Sequence, residues 1–135
     1  MESERFKYIF EKLHFNVKLW DNLTKDEIED KLKSFVKEDE EEVTETDAFI
    51  LMVISHGIDE KIMGSKACKA LNVLDKDPTD AEAVIDVNTD VIDILKIVDI
   101  FSNINCRKLL NKPKLFFLNC CRISQSFSTY FTINS

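Results

Sequence analysis

Glycine is nearly absent from this chain, since Gly57 and Gly64 are the only two among 135 residues. Phosphate-binding loops and dinucleotide-binding fingerprints need several glycines at set spacings, because the backbone must turn tightly and approach the phosphates closely. Nucleotide-binding enzymes of these two classes are therefore excluded, and we expect no cofactor.

The chain also lacks an excess of basic residues and any long apolar run. Its net charge is −7, whereas a nucleic-acid surface needs clustered Lys and Arg. The longest apolar run, Ala48 to Ile54, is far too short to cross a bilayer, and the charged N-terminus contains no signal-peptide core. We therefore expect no nucleic-acid partner, no membrane partner and a reducing cytoplasmic setting, in which the cysteines are thiols.

Metal-ligand patterns are missing as well. The chain has two histidines and four cysteines, but Cys68 and Cys106 show no paired spacing with other Cys or His residues. Zinc ligands are typically spaced in such pairs. We expect no metal site.

The first third of the sequence carries clear helix and strand patterns. Apolar residues at helical spacing predict a helix over residues 4–13, and alternation predicts a short strand from Phe15 to Leu19. Thr24 and Glu27 form a capping box that opens a second helix, ending near residue 37. The acidic run that follows, residues 38–42, is predicted to be a solvated loop.

Two later segments are apolar on both faces, which is typical of strands buried in a mostly parallel sheet. They are residues 48–54 and 114–119. Between them, residues 58–90 are predicted to be a loop or insertion that carries a β-ribbon, with the insertion itself placed at residues 65–90. Asp90 is predicted to cap a helix that buries residues from Val91 to Phe101. The fold class is therefore predicted to be α/β, a mostly parallel sheet flanked by helices, in a single domain over residues 1–135.

Both predicted buried strands end in reactive groups: Ser55-His56-Gly57 after the first, and Asn119-Cys120-Cys121-Arg122 after the second. In open α/β sheets, sites form beyond the carboxyl ends of the strands, so His56 and Cys121 meet there if the strands are parallel neighbours. A thiol activated by an imidazole can attack a carbonyl. The amides of Gly57 and Cys121 can then stabilise the oxyanion.

Cys121 also has a simpler interpretation, because free cysteine is among the residue types most often buried in cores. Cys120 and Cys121 are adjacent, so they point to opposite sides of a continuing strand and only one can face a cleft. The cysteine alone does not decide between a nucleophile and a core residue.

Three stretches together resemble the large catalytic subunit of the caspase family: FNVKLWDNLTKDEIEDKL, DAFILMVISHG and IFSNINCRKLLNKPKLFFLNCCR. The resemblance implies that His56 is the catalytic histidine, that Cys121 is the nucleophile and that Gly57 and Cys121 form the oxyanion hole. Asn119 lies where the family has a glutamine that lines the pocket for an aspartate side chain. The implied activity is cleavage of protein or peptide substrates after aspartate, in programmed cell death or inflammation.

The sequence departs from the family at several points. The caspase signature is Gln-Ala-Cys, then Arg, Gln or Gly, then Gly, and residues 119–123 read Asn-Cys-Cys-Arg-Ile. A β-branched Ile123 would be strained if that position needs a positive φ. The resemblance implies that the pocket arginines come from an upstream segment and from a small subunit, and we expect both to lie outside these 135 residues. We expect weak activity from these residues alone, an open apolar sheet edge where the small subunit would continue, and self-association through it.

Three hypotheses follow. The first is a caspase-type cysteine endopeptidase, represented by its large subunit or a truncated product. The second is a catalytically impaired caspase-like protein that pairs with an active caspase and modulates it. The third, an unrelated α/β domain of the response-regulator type, requires an acidic cluster at the strand ends facing a lysine, and the sequence shows no such cluster.

Overall fold

A computed structural model describes the backbone of residues 2–38, 47–122 and 130–134, and the side chains of residues 3–37 and 47–119. The described elements are, in chain order, α1 (Glu2–Lys12), α2 (Lys25–Glu38), β1 (Phe49–Ile58), β2 (Lys61–Met63), α3 (Ser65–Lys76), α4 (Ala81–Thr89), β3 (Val91–Asp93), α5 (Ile94–Ile100), a 3₁₀ turn (Arg107–Leu109), β4 (Lys114–Arg122) and β5 (Tyr130–Asn134). Of the acidic loop predicted over residues 38–42, Glu38 is the last residue of α2, and the remainder lies outside the described residues, as does Ile123.

The strands form one sheet in the order β3-β2-β1-β4-β5. β1 and β4 are parallel neighbours, whereas the pairs β1–β2, β2–β3 and β4–β5 are antiparallel. The predicted α/β class is confirmed, but the described sheet is mixed and not mostly parallel. The turn from β1 to β2 contains only residues 59 and 60, and so short a connection can join only antiparallel strands.

One face of β1 and β4 forms the main core together with α2 and α5. The register pairs Leu51 with Phe116 and Val53 with Leu118, so alternate side chains of both strands project to the same side. The ring of Phe49 lies 4.6 Å from that of Phe101, centroid to centroid, and contacts that of Phe116 as well. Each fully buried side chain of this size contributes about 1.5–3 kcal/mol of transfer free energy.

A second, smaller core lies between α3 and α4, where the structure contradicts a prediction. Residues 65–90 were expected to be a loop or insertion, and they form two helices. Small side chains, Ala67, Ala70 and Ala83, are buried at the contact with Met63 and Val87. Close packing of two helices through alanine needs no large apolar stripe, so the pattern of large apolar residues was weak. The β-ribbon, which the sequence placed only somewhere within residues 58–90, corresponds to the β1–β2 hairpin at the start of that range.

The helix predictions for the first third are confirmed, and the strand prediction is wrong. The capping box forms as expected: the Thr24 amide donates to Glu27 Oε2 at 2.8 Å, and the Glu27 amide donates to Thr24 Oγ1 at 3.3 Å. Residues 15–20 are described without strand structure. Instead this segment lines one side of an apolar groove of about 660 Å³, with α1 and residues 47–52 of β1 and its approach on the others. Alternation alone does not make a strand without a neighbour to pair with.

The predicted helix cap at Asp90 is also wrong. Residues Val91–Asp93 form β3, because Ile92 pairs with Ile62, and the helix begins only at Ile94. The Asp90 side chain turns back to earlier elements, where it accepts hydrogen bonds from the amides of Lys25 and Ala67.

The sheet was predicted to have an open edge where the small subunit would continue, and its outer strands in the described structure are β3 and β5. β5 pairs with β4 from Lys114 to Leu118, so the edge on that side belongs to β5 and not to β4. An unpaired stretch lies on β1, whose register with β2 includes only Gly57 and Ile58 and leaves residues 49–56 without a described strand on that side. None of the described helices has both the length and the hydropathy of a bilayer-spanning helix.

Candidate active site

The parallel pairing of β1 and β4 brings the two reactive strand ends together. His56 is the register partner of Cys121, Gly57 that of Arg122, and Ile54 that of Asn119. The expectation that the two strands are parallel neighbours is confirmed, and adjacent strands lie about 4.8 Å apart. Four residues predicted from the sequence thus lie together at the carboxyl-terminal ends of β1 and β4: His56, Gly57, Asn119 and Cys121.

Both strands are longer than predicted, so the motif residues lie within the sheet and not after it. β1 continues to Ile58 and β4 to Arg122. Register therefore places Cys121 on the same face as His56, and Cys120 on the opposite face with Ser55. Of the two adjacent cysteines, Cys121 is the one that shares the histidine's face. His56 and Asn119 are exposed on it.

The hairpin after β1 fixes the backbone on both sides of His56. Ser55 Oγ donates a 2.7 Å hydrogen bond to the Met63 carbonyl, and Gly57 is the register partner of Ile62. The Cys68 thiol lies 3.5 Å from Ser55 Oγ, in the first turns of α3. Because β2 contacts the residues before and after the histidine, the position of β2 determines where His56 is presented.

The end of β2 is fixed in turn by Asp90. The Gly64 amide donates to the Asp90 carbonyl at 2.8 Å, and the Asp90 carboxylate accepts from Lys25 N at 2.8 Å and Ala67 N at 3.0 Å. Neither the contacts of Asp90 with the starts of α2 and α3 nor the side-chain contact of Ser55 was predicted from the sequence. No local signal reveals either, because the partners of Asp90 are 65 and 23 positions away.

The described residues contain no group of three or more His, Cys, Asp and Glu side chains that could hold a metal ion. Cys68 and Cys106 are free thiols. The residue types that the register brings together at the ends of β1 and β4 carry an imidazole, a thiol and backbone amides.

Comparison with known proteins identifies the family of this chain. A family model described as the caspase domain matches residues 2–132. Caspase-12 of Macaca mulatta is 32% identical over 127 residues, 94% of this chain and 26% of the relative. Caspase-1-A of Xenopus laevis is 30% identical over 114 residues, 84% of this chain and 27% of the relative. The protein named inactive caspase-12 of Homo sapiens is 30% identical over 127 residues, 94% of this chain and 32% of the relative.

The chain thus spans roughly a quarter to a third of the length of these relatives. The family match includes both β1 with its Ser-His-Gly motif and β4 with its adjacent cysteines. The chain belongs to the caspase family.

Proposed function

We propose that this chain provides the catalytic half-site of a cytoplasmic cysteine endopeptidase that cleaves peptide bonds after aspartate in apoptosis-related proteolysis. The observation that carries the proposal is the register of β1 with β4, which pairs His56 with Cys121 on one face of the sheet. Membership of the caspase family supports the choice of protein and peptide substrates.

In the proposed reaction, the Cys121 sulfur attacks the carbonyl carbon of the scissile bond. His56 takes the thiol proton and later gives it to the leaving amine, so that a thioester forms and the peptide bond breaks. The negative charge on the carbonyl oxygen is stabilised by the amides of Gly57 and Cys121. Water then hydrolyses the thioester and regenerates the thiol.

Substrate selection is proposed to rest on Asn119 together with cationic groups supplied by a partner or a small subunit. Asn119 pairs in register with Ile54 and is exposed on the same face as His56. Its amide can donate to an aspartate carboxylate, but a desolvated carboxylate also needs a cation to offset the lost hydration. The described chain alone should therefore bind such substrates weakly.

Covalent labelling tests the dyad. The purified chain is treated with a tripeptide chloromethyl ketone ending in aspartate, and the modified cysteine is mapped by mass spectrometry. We expect Cys121 to react about 10²-fold faster than Cys68, and His56→Ala to remove most of that advantage. Cys121→Ala should abolish the fast reaction.

The matched control is the same probe ending in asparagine, which keeps the shape and removes the charge. Iodoacetamide reports the intrinsic reactivity of each thiol. If Cys121 reacts no faster than Cys68 with the aspartate probe, and His56→Ala changes nothing, this chain is not a working dyad.

A second candidate function has a specific observation in its favour. Residues 119–123 fit the caspase signature at only two of five positions, and one relative of similar identity is named inactive caspase-12. The alternative is a catalytically impaired caspase-like protein that pairs with an active caspase. Slow, histidine-independent labelling of Cys121 together with a change in the activity of an added caspase would favour it.

A further inference from the structure

Asp90 stands where three elements meet, and no step of the proposed reaction uses it. Its side chain is almost fully buried, with 6% of the residue exposed. One carboxylate oxygen accepts from the first amide of α2, at Lys25, and the other from an amide in the first turn of α3, at Ala67. The Asp90 carbonyl accepts from Gly64 at the end of β2.

A buried carboxylate is costly unless its charge is compensated. Here the compensation comes from two helix N-termini, where unpaired amides and the helix dipole favour an anion. The Asp90 side chain thus links the starts of α2 and α3, and its carbonyl holds the Gly64 amide at the end of β2.

The Asp90 carboxylate packs closely against Gly64, at the end of β2. A Cβ at Gly64 would lie 2.5 Å from both Asp90 carboxylate oxygens and 2.6 Å from Lys25 N. Real side chains do not tolerate such distances, so the backbone of Gly64 touches the carboxylate directly. The carbonyl of the preceding residue, Met63, accepts a 2.7 Å hydrogen bond from the Ser55 hydroxyl. Ile62 is the register partner of Gly57.

We propose that Asp90 is a positioning residue. It acts through β2 to fix the positions of His56 and Gly57. The connection runs from Asp90 to Gly64, through the hydrogen bond to its carbonyl and the packing of its carboxylate, then from Met63 to Ser55, and from Ile62 to Gly57. The catalytic consequence rests on the proposed function, because it assumes that His56 and the Gly57 amide act on a substrate. The mechanical part, that Asp90 determines the order of the β1–β2 hairpin, does not depend on it.

Asp90→Asn is the most informative variant because it keeps the shape. An amide offers one oxygen as acceptor and an NH₂ group as donor, so one of the two helix amides loses its partner and the negative charge is gone. Asp80→Asn is the matched control. Asp80 also caps a helix, accepting from Ala83 N at 3.0 Å at the start of α4, but it has no described contact with β2.

Hydrogen–deuterium exchange of the full chain tests the mechanical part. We expect Asp90→Asn to speed exchange of amides in residues 55–64 about tenfold, in addition to those at the starts of α2 and α3, because local opening of the hairpin requires less free energy. Asp80→Asn should leave residues 55–64 unchanged. Faster exchange confined to the two helix starts would overturn the proposal.

Labelling kinetics with the aspartate chloromethyl ketone test the catalytic part. A displaced histidine lowers the maximal inactivation rate, and misplacement of this kind costs about tenfold or more, while the concentration for half-maximal rate stays within about twofold. Asp80→Asn should leave both unchanged. If Asp90→Asn only lowers the fraction of reactive protein and leaves the maximal rate intact, Asp90 is merely structural and the catalytic part is wrong.

The two proposals fail in distinguishable ways. Absence of His56-dependent labelling in the unmodified chain overturns the proposed function, and hydrogen exchange then decides the role of Asp90 in the hairpin by itself. Normal labelling in Asp90→Asn overturns the positioning role and leaves the dyad intact.

Discussion

At the scale of single residues, Lys114 differs most from what its sequence context predicts. It opens the apolar strand β4 and is 3% exposed, and its Nζ donates a 2.7 Å hydrogen bond to Asn103 Oδ1. A buried ammonium loses its hydration, and one neutral amide does not replace that hydration. Lys114 is thus a buried polar side chain at the start of a strand whose next four residues are apolar.

We predict that Lys114→Met leaves the free energy of unfolding unchanged or raises it by about 1 kcal/mol, because replacing a buried charged group by a packed apolar one is often neutral or stabilising. Asn103 is exposed and can turn to water. Urea denaturation followed by circular dichroism measures the change. Lys69→Met, at an exposed position of α3, is the control and should stay within about 0.5 kcal/mol. A loss of more than 1 kcal/mol in Lys114→Met would show that the ammonium has a compensating partner.

At the scale of secondary-structure elements, a link between α2 and α5 depends on Glu29. This carboxylate contacts Lys33 Nζ at 2.6 Å on its own helix and Lys96 Nζ at 3.2 Å on α5, with 19% of its side chain exposed. Hydrogen bonds from Lys33 and then Lys96 lower the pKa of Glu29 below its ordinary value of 4.5. Because the folded-state pKa is lowered, the stabilisation is present above the unfolded pKa and is lost as the pH falls through the folded one.

We predict that Glu29→Gln lowers the free energy of unfolding by about 0.5–1 kcal/mol at neutral pH, the range of partly exposed ion pairs. The difference from the unmodified chain should shrink as the pH falls below 4.5 and vanish once Glu29 is protonated in the folded state. Urea denaturation at a series of pH values measures this. Asp30→Asn, on the same helix, keeps the shape of the side chain and serves as the control for a change of charge alone. A difference that persists in acid would mean that packing, and not charge, is what the substitution removes.

The elements that could be predicted from the sequence are those whose signals are local. Each of these signals is encoded in a few consecutive positions. They are the capping box at Thr24 and the apolar runs of β1 and β4 with the reactive residues at their ends. The elements that were mispredicted depend on distant partners: residues 15–20 needed a neighbouring strand, β3 exists because Ile92 pairs with Ile62, and Asp90 binds amides far away in sequence. The pairing of His56 with Cys121 could be predicted only on the assumption that β1 and β4 are parallel neighbours.

At the scale of the whole molecule, the described chain has an incompletely covered apolar surface beside the candidate site. The groove of about 660 Å³ separates residues 15–20 from β1, and residues 49–56 have no described strand on that side. Ile54, two positions before His56, lines the groove and is 41% exposed. Unpaired strand edges beside exposed apolar side chains favour association. Besides an outer strand of the sheet, the groove side of β1 is thus a second surface through which the expected self-association can occur.

We predict that the chain self-associates with rising concentration and that Ile54→Lys reduces this association, because a charge in the groove resists burial against another apolar surface. Since Ile54 is partly exposed, the fold should tolerate the lysine with a loss of stability below about 1 kcal/mol. Multi-angle light scattering over a concentration series gives the mass, and thermal unfolding verifies the fold. Leu95→Lys, 73% exposed on α5 and away from the groove, controls for added charge. Association that is equally reduced by both variants would come from net charge, and a chain that stays monomeric throughout would show that the groove is already closed.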